Sequence, residues 1–289
     1  MNVIVLWIKK VNQYIILLIS VFFLIFPIVF MVANSFMDEK EVQSTYAVIN
    51  NSKEDTNQQY INIMLIPDRA VLTQYYHTLF RDPTFLVMFW NSVKLTIPIM
   101  LGQILVSLMG GYAFAKIKFP FREQIFFLFI IVMLMPFQST LVTNYITLQS
   151  MNLLGSNFAV ILPGVFSTFG VFLLRQFIRS IPDEYCESAK IDGAGHCTIF
   201  WGIIVPQCKA GIASLAILSF IDNWNMVEQP LIFLKNNYDY PMSIFLSQIN
   251  SSQFGIAFAC GIMYMLPTVL IFLYGEDYLI EGIQLSGLK

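Results

Sequence analysis

Long apolar runs that carry no charge recur along this chain, and they constrain its fold more tightly than any other feature. Crossing about 30 Å of hydrocarbon takes about 20 residues at the helical rise. Residues 14–33 supply such a run, and 95–115, 125–146 and 153–174 supply three more. A fifth, 210–234, is interrupted by Asp222 and holds Glu228; a sixth covers 254–274. Inside a bilayer no water is available to backbone N–H and C=O groups, so a spanning segment is a helix or part of a closed barrel. Continuous apolar runs of this length are unlike the ten-residue alternating strands of barrels. The expectation is an all-α integral membrane protein, one domain over 1–289 with six transmembrane helices. Composition agrees: 12% of residues are charged, against about 25% in soluble domains.

Lys9 and Lys10 precede the first run in the manner of a secretory leader. The run is too long for one and no small-residue cleavage site follows, so an uncleaved first span is expected. Basic residues set the orientation. With the N-terminus inside, the cytoplasmic segments hold Lys9, Lys10, Lys116, Lys118, Arg122, Arg175, Arg179, Lys190, Lys209 and Lys289. The outside holds Lys40, Lys53, Arg69, Arg81, Lys94 and Lys235, five of them in or beside the long polar segment 34–89, which carries little orienting weight. Both termini are therefore expected in the cytoplasm, with 34–89, including Asn50-Asn51-Ser52, as an external loop with local structure toward 73–80. Pro27, Pro98, Pro136, Pro163, Pro230 and Pro267 lie in the spans. They read either as hinges or as the ordinary proline content of membrane helices.

Several chemistries are disfavoured. A net charge of −2 gives no ground for nucleic-acid binding. Cys186, Cys197 and Cys208 are evenly spaced, but no CxxC pair exists and His77 and His196 are the only imidazoles. These cysteines and Cys260 read as small packing residues, with no metal expected. Two histidines without an HExxH pattern or a nucleophile–base arrangement argue against a membrane enzyme.

The connection between the fourth and fifth runs is distinctive. Residues 180–206 read SIPDEYCESAKIDGAGHCTIFWGIIVP. Ser180, Pro182 and Asp183 form a helix-start signal, and a short helix to Ile191 is too polar for lipid. The Asp192-Gly193-Ala194-Gly195 turn ends it, and a second short helix from His196 stops at Pro206. Two short helices around a glycine turn make a cytoplasmic knob whose small residues, Ser188, Ala189, Gly193 and Ala194, admit a partner's backbone. Glu187 offers a charge to a basic partner.

This loop resembles the signature of permease subunits of ATP-binding-cassette importers, specifically the maltose-type carbohydrate branch. That signature runs E-A-A, three residues, glycine, about nine residues, then an aliphatic residue and L-P. Here Glu187-Ser188-Ala189 stands for E-A-A, Gly193 follows Lys190-Ile191-Asp192, and Val205-Pro206 stands for L-P. Further similar segments are Asn34-Ser35-Phe36, Trp90-Asn91-Ser92-Val93, Phe172 to Phe177 and Trp224-Asn225. The tail, Tyr278 to Ile283 with Gly287-Leu288-Lys289, resembles that of the second, smaller permease of the pair. Ser188 in place of the middle alanine, the missing second proline in 207–210 and the long first external loop depart from the pattern.

The resemblance implies the type I ABC importer permease fold and a role as half of a pathway for a carbohydrate, foremost an oligosaccharide, in a bacterial or archaeal plasma membrane. The loop residues Glu187, Ser188, Ala189, Asp192, Gly193, Ala194 and Pro206 would dock in a cleft of a cytoplasmic ATPase. The implied partners are a second homologous permease, two ATP-binding subunits that hold ATP and Mg, and an extracytoplasmic solute-binding protein. No G-x-x-x-x-G-K-[ST] phosphate loop exists here, so ATP hydrolysis must come from a separate polypeptide. The alternative transport reading is an ion-coupled secondary carrier, which would favour inverted repeats and mid-membrane relay residues that the sequence does not display. For the pathway itself, Asn223, Trp224, Asn225 and Asn144 admit two readings: hydrogen bonds and ring stacking to a sugar, or helix–helix packing.

Overall fold

The apolar runs become helices in a computed structural model, which describes residues 2–50, 66–81, 83–136, 138–248 and 254–287. Asn51, Ser52, the middle of the 34–89 segment, Leu288 and Lys289 lie outside the described residues. The helices are α1 Asn2–Ser35, α2 Glu39–Asn50, α3 Thr84–Lys116, α4 Arg122–Met133, α5 Gln138–Ser150 and α6 Phe158–Gly164. They continue with α7 Thr168–Ser180, α8 Asp183–Ile191, α9 Lys209–Trp224, α10 Glu228–Phe233, α11 Met242–Gln248 and α12 Phe254–Gly287. Among the described residues there is no strand. Among the described residues four helices are long and apolar enough to cross a membrane, and up to six segments if each of two bent pairs is one span. The protein is thus an all-α, multi-pass membrane protein.

The chain divides into two units, Met1–Leu86 with Leu246–Met265, and Val87–Phe245 with Leu266–Lys289. In the first, the Tyr46 hydroxyl donates to Asn34 Oδ1 at 2.7 Å, folding α2 back toward the end of α1. Met37, Val42 and Tyr46 are buried there with Phe30, Phe254 and Phe258 against them. The α2 helix opens with Glu39 and Glu41 in its first turn, where the helix dipole favours acidic groups.

In the second unit the expected runs are present but broken. The 125–146 segment is two helices, α4 and α5, meeting at 101°. Pro136 lies in that break, having no N–H to continue the ladder. Residues 165–167 step out of helix between α6 and α7, and 225–227 do so between α9 and α10. By contrast α3 begins at Thr84, well ahead of 95. It packs closely on α7: a Cβ on Gly111 would sit 3.0 Å from the Arg175 backbone nitrogen. Membrane helices associate by such close packing because lipid supplies no hydrophobic drive between them. Arg175, buried in α7, adds a polar joint. Its guanidinium grips Glu123 at 2.9 and 2.8 Å, donates to the Phe114 carbonyl and lies 3.7 Å from the Phe126 ring centre.

Candidate functional site

Two features of the second unit stand out, a knob between α7 and α9 and a cavity among α3 to α10. The knob starts with α8. Ser180 does not cap it, as its hydroxyl turns back to the Phe177 carbonyl at 2.7 Å, and Pro182 takes the cap position instead. Serine in the last turn of α7 finds a free carbonyl within reach, and that bond wins over a cap beyond the proline. The far end follows the sequence closely. Gly193 adopts φ +81, its N–H reaches the Lys190 carbonyl (3.0 Å), and the Ala194 N–H reaches the Ala189 carbonyl (2.9 Å). This pair of bonds is a Schellman motif, which needs a left-handed residue at that point.

After the turn, helix continues from His196 through a wide π-turn at Phe200–Ile204 and on to Gln207, so Pro206 does not end it. Pro206 stands just past the wide turn, in which the Val205 N–H reaches the Phe200 carbonyl, and it withdraws only its own donor from the helix. The chain then bends by 75° into α9.

One face of the knob is anchored. Cys186, Ile199, Phe200, Ile204 and Cys208 are buried with Leu108 and Tyr112 of α3 and Leu174, Phe177 and Ile178 of α7. Lys116, the last residue of α3, donates to the Ile181 carbonyl and to Asp183 Oδ1, both at 2.5 Å. That hydrogen bond holds the Asp183 carboxyl below the ordinary aspartate value. The Tyr112 hydroxyl meets His196 Nδ1 at 3.0 Å. The other face is open: Glu187, Ser188, Asp192, Gly193 and Pro206 are exposed, and Ile191 is 87% exposed. Ala189 and Ala194 are half-buried, packed toward the anchored side.

The cavity, ≈ 490 Å³, opens where the spans break. It is lined by Ile99 and Gln103 of α3, Thr140 and Asn144 of α5, Phe166, Ser167 and Thr168 at the α6–α7 step, and Asp222, Asn223 and Gln229. A hydrogen-bonded chain borders it. Gln103 Nε2 donates to the Gly164 carbonyl (2.6 Å), which the step leaves without a helical donor, and Ser219 Oγ donates to Gln103 Oε1 (2.6 Å). Asn223 Nδ2 continues the chain to the Ser219 carbonyl at 2.7 Å.

The four pathway candidates therefore separate. Asn144 and Asn223 line the cavity. Trp224 is 1% exposed, stacked on Phe220 and set edge-on to Phe89, which makes it a packing residue. Asn225 turns its amide back to the Ile221 carbonyl, at the end of α9. Sequence reasoning missed Gln103, Lys116 and Arg175 as structural actors. A lone glutamine in an apolar run was the signal for the first, and a cation at a span end was the signal for the other two. Among the described residues no group of His, Cys, Asp and Glu could hold a metal.

Comparison with known proteins bears on all of this. The model of the family described as "Binding-protein-dependent transport system inner membrane component" matches residues 85–276. The chain is 28% identical over 232 residues to the arabinooligosaccharides transport system permease protein AraQ of Halalkalibacterium halodurans, covering 79% of this chain and 83% of that one. It is 30% identical over 207 residues to the sn-glycerol-3-phosphate transport system permease protein UgpE of Yersinia pestis, covering 69% and 73%. It is 26% identical over 273 residues to the lactose transport system permease protein LacG of Rhizobium radiobacter, covering 93% of each. Its fold matches a chain of a bacterial ABC transporter that imports the acidic polysaccharide alginate, with TM-score 0.79, 18% identity and coverage of 94% and 96%.

Proposed function

Since the chain belongs to the family of binding-protein-dependent transport system inner membrane components, it is a membrane permease of an importer, and we propose that it forms half of a carbohydrate pathway driven by separate ATPases. The relatives' names support a small polyhydroxylated cargo: arabino-oligosaccharides, lactose and sn-glycerol-3-phosphate. A second, homologous permease completes the pathway and a solute-binding protein delivers cargo from outside. Two cytoplasmic subunits hold ATP and Mg and meet the knob at Glu187, Ser188, Ala189, Asp192, Gly193, Ala194 and Pro206. Both termini and the knob lie in the cytoplasm of a bacterial or archaeal cell, as the short basic loops favour.

The observation that carries this reading is that one helix, α3, serves both features. It gives Gln103 to the cavity and Tyr112 and Lys116 to the knob. Gln103 and Tyr112 stand about two and a half turns apart, so a push on the knob reaches the cavity through rigid helix. The mechanism is alternating access: ATP binds the two conformations with different affinity, and the difference shifts the population between outward- and inward-open forms. Glu187→Lys tests the docking assignment, because Glu187 is exposed and its replacement leaves the anchored face untouched. Loss of ATP-driven uptake and of ATPase copurification, with the protein still in the membrane, is expected. Undiminished uptake refutes the assignment.

A further inference from the structure

On the knob side of the second unit, where α3 ends and α4 begins, cations collect beside an apolar strip. Lys116, Lys118, Arg122 and Arg175 gather there, and the carboxylates among them are Glu123 and Asp183. Glu123 is spent on two arginines: Arg175 grips it, and Arg122 Nε donates to its Oε1 at 3.1 Å. Lys116 holds Asp183, whose carboxyl also lies in the field of Lys118 and Arg122. Lys118 is exposed and, among the described residues, has no hydrogen bond or ion pair of its own. Positive charge is therefore in excess. The next charges along α7 and α8, Arg179 and Glu184, are of opposite sign and leave that excess unchanged. The positive end of α4 adds to it, since Phe121 in the cap position has no side-chain acceptor.

Farther along α4 the surface turns apolar. Glu123, Gln124, Phe127 and Leu128 line an open, mostly apolar groove, with Phe127 60% and Leu128 58% exposed. Phe127 stands about 7.5 Å of helical rise beyond Arg122. The wall behind the groove is stiff. Phe126 is buried with Phe114 and stacked on Phe172, and the Arg175 guanidinium lies 3.7 Å from its ring centre.

Cations where a span meets the membrane surface attract anionic headgroups. Exposed apolar side chains one to two turns deeper are covered by acyl chains. A protein partner would have to bring acid to Lys118 and apolar bulk to Phe127 together; an anionic phospholipid carries both at that spacing. We propose that the α3–α4 turn and the exposed face of α4 bind an anionic phospholipid of the knob-side leaflet. Its phosphate meets Lys118 and Arg122, and an acyl chain lies over Phe127 and Leu128. The site depends on the membrane fold and is independent of what the protein carries.

The test uses the full chain, stripped of lipid in detergent, and two probes with the same acyl chains, phosphatidylglycerol and phosphatidylcholine. Native mass spectrometry should show phosphatidylglycerol bound at least about tenfold more tightly. Lys118→Glu should cut that ratio below about threefold, whereas Lys118→Arg should keep it. Phosphatidylglycerol with a photoreactive acyl chain should mark Phe127 or Leu128 in the native protein, a readout that needs no variant. Inorganic phosphate should not displace it, which separates a lipid from a soluble anion. Equal binding of the two lipids, a ratio unmoved by Lys118→Glu, marking elsewhere, or displacement by phosphate overturns the proposal. So does loss of the mark when the chain is assembled with a second permease, which gives this face to a protein partner. Each of these results leaves the importer reading standing.

Discussion

Replacing Gly193 separates two reasons for a glycine at the tip of the knob, backbone conformation and clearance for a partner. Its φ of +81 is a left-handed conformation, and a Cβ built there meets nothing within 4 Å. Within this chain, then, Gly193→Ala carries no steric penalty and its whole cost is backbone. That cost is about 1–2 kcal/mol for an L-residue in the left-handed region. It lowers the population of the Schellman turn roughly five- to thirtyfold. Asparagine tolerates this conformation far better, and a β-branched residue tolerates it worst. The buried side of the knob, Cys186, Ile199 and Phe200, is untouched, so every variant should insert and fold. ATP-driven uptake in proteoliposomes, normalised to protein in the membrane, should fall in the order glycine, asparagine, alanine, valine, with asparagine close to the native protein. An asparagine variant as impaired as valine would refute the backbone argument and leave partner clearance as the reason. Equal uptake by all four would refute both.

Three further outcomes follow from the anchors. Gln103→Leu strands the Gly164 carbonyl and removes the acceptor of Ser219 Oγ, which should cost about 1–3 kcal/mol in thermal unfolding and slow uptake. Gly111→Val forces a side chain against the Arg175 and Leu174 backbones, and overpacking of this kind should destabilise α3–α7 by about 1–3 kcal/mol in the same assay. The depressed Asp183 pKa means its bond to Lys116 contributes above pH 3.8 and is lost only as pH falls further, through the folded-state value. Because the Asp183 side chain is 72% exposed, that loss should stay below about 1 kcal/mol. Hydrogen exchange of α8 should therefore be steady in its protection near neutrality and loosen in acid, and Asp183→Asn should abolish the difference.

How much could be read without coordinates depends on the range over which each signal acts. Apolar runs and the glycine turn are local, and so the helices and the α8 C-terminus were legible. Gly193 needs only its own φ and the bonds of the preceding turn. The breaks were half legible. Pro136 marked one, and Pro163-Gly164 stands just before the step at 165–167, but that step also depends on Gln103, sixty-one residues away in sequence from Gly164, satisfying its carbonyl. Trp224 and Asn225 admitted two readings, contact with a sugar or helix–helix packing. In the structure Trp224 has the ring contacts of a packed side chain, with Phe220 and Phe89. Lys116 and Arg175 were legible only as orienting charges, since their partners, Asp183 and Glu123, lie across other loops.

The position of the breaks suggests why the cavity and the knob form one device. Residues 134–136, 165–167 and 225–227 interrupt three spans, and side chains at or beside each break line the same cavity: Met135, Phe166 and Met226. A cavity bordered by breaks can change shape by swinging short helices such as α6 and α10, without straining a long one. The knob side is built in the opposite way. Arg175 with Glu123, Lys116 with Asp183 and the close approach at Gly111 fasten α3, α4, α7 and α8 to one another. A force on the knob meets close apolar packing, direct polar bonds and a backbone contact throughout that fastened region. It passes along α3 and α9, and the first compliant points it meets are the breaks. Movement is thereby directed to the level where Gln103, Asn144 and Asn223 line the cavity.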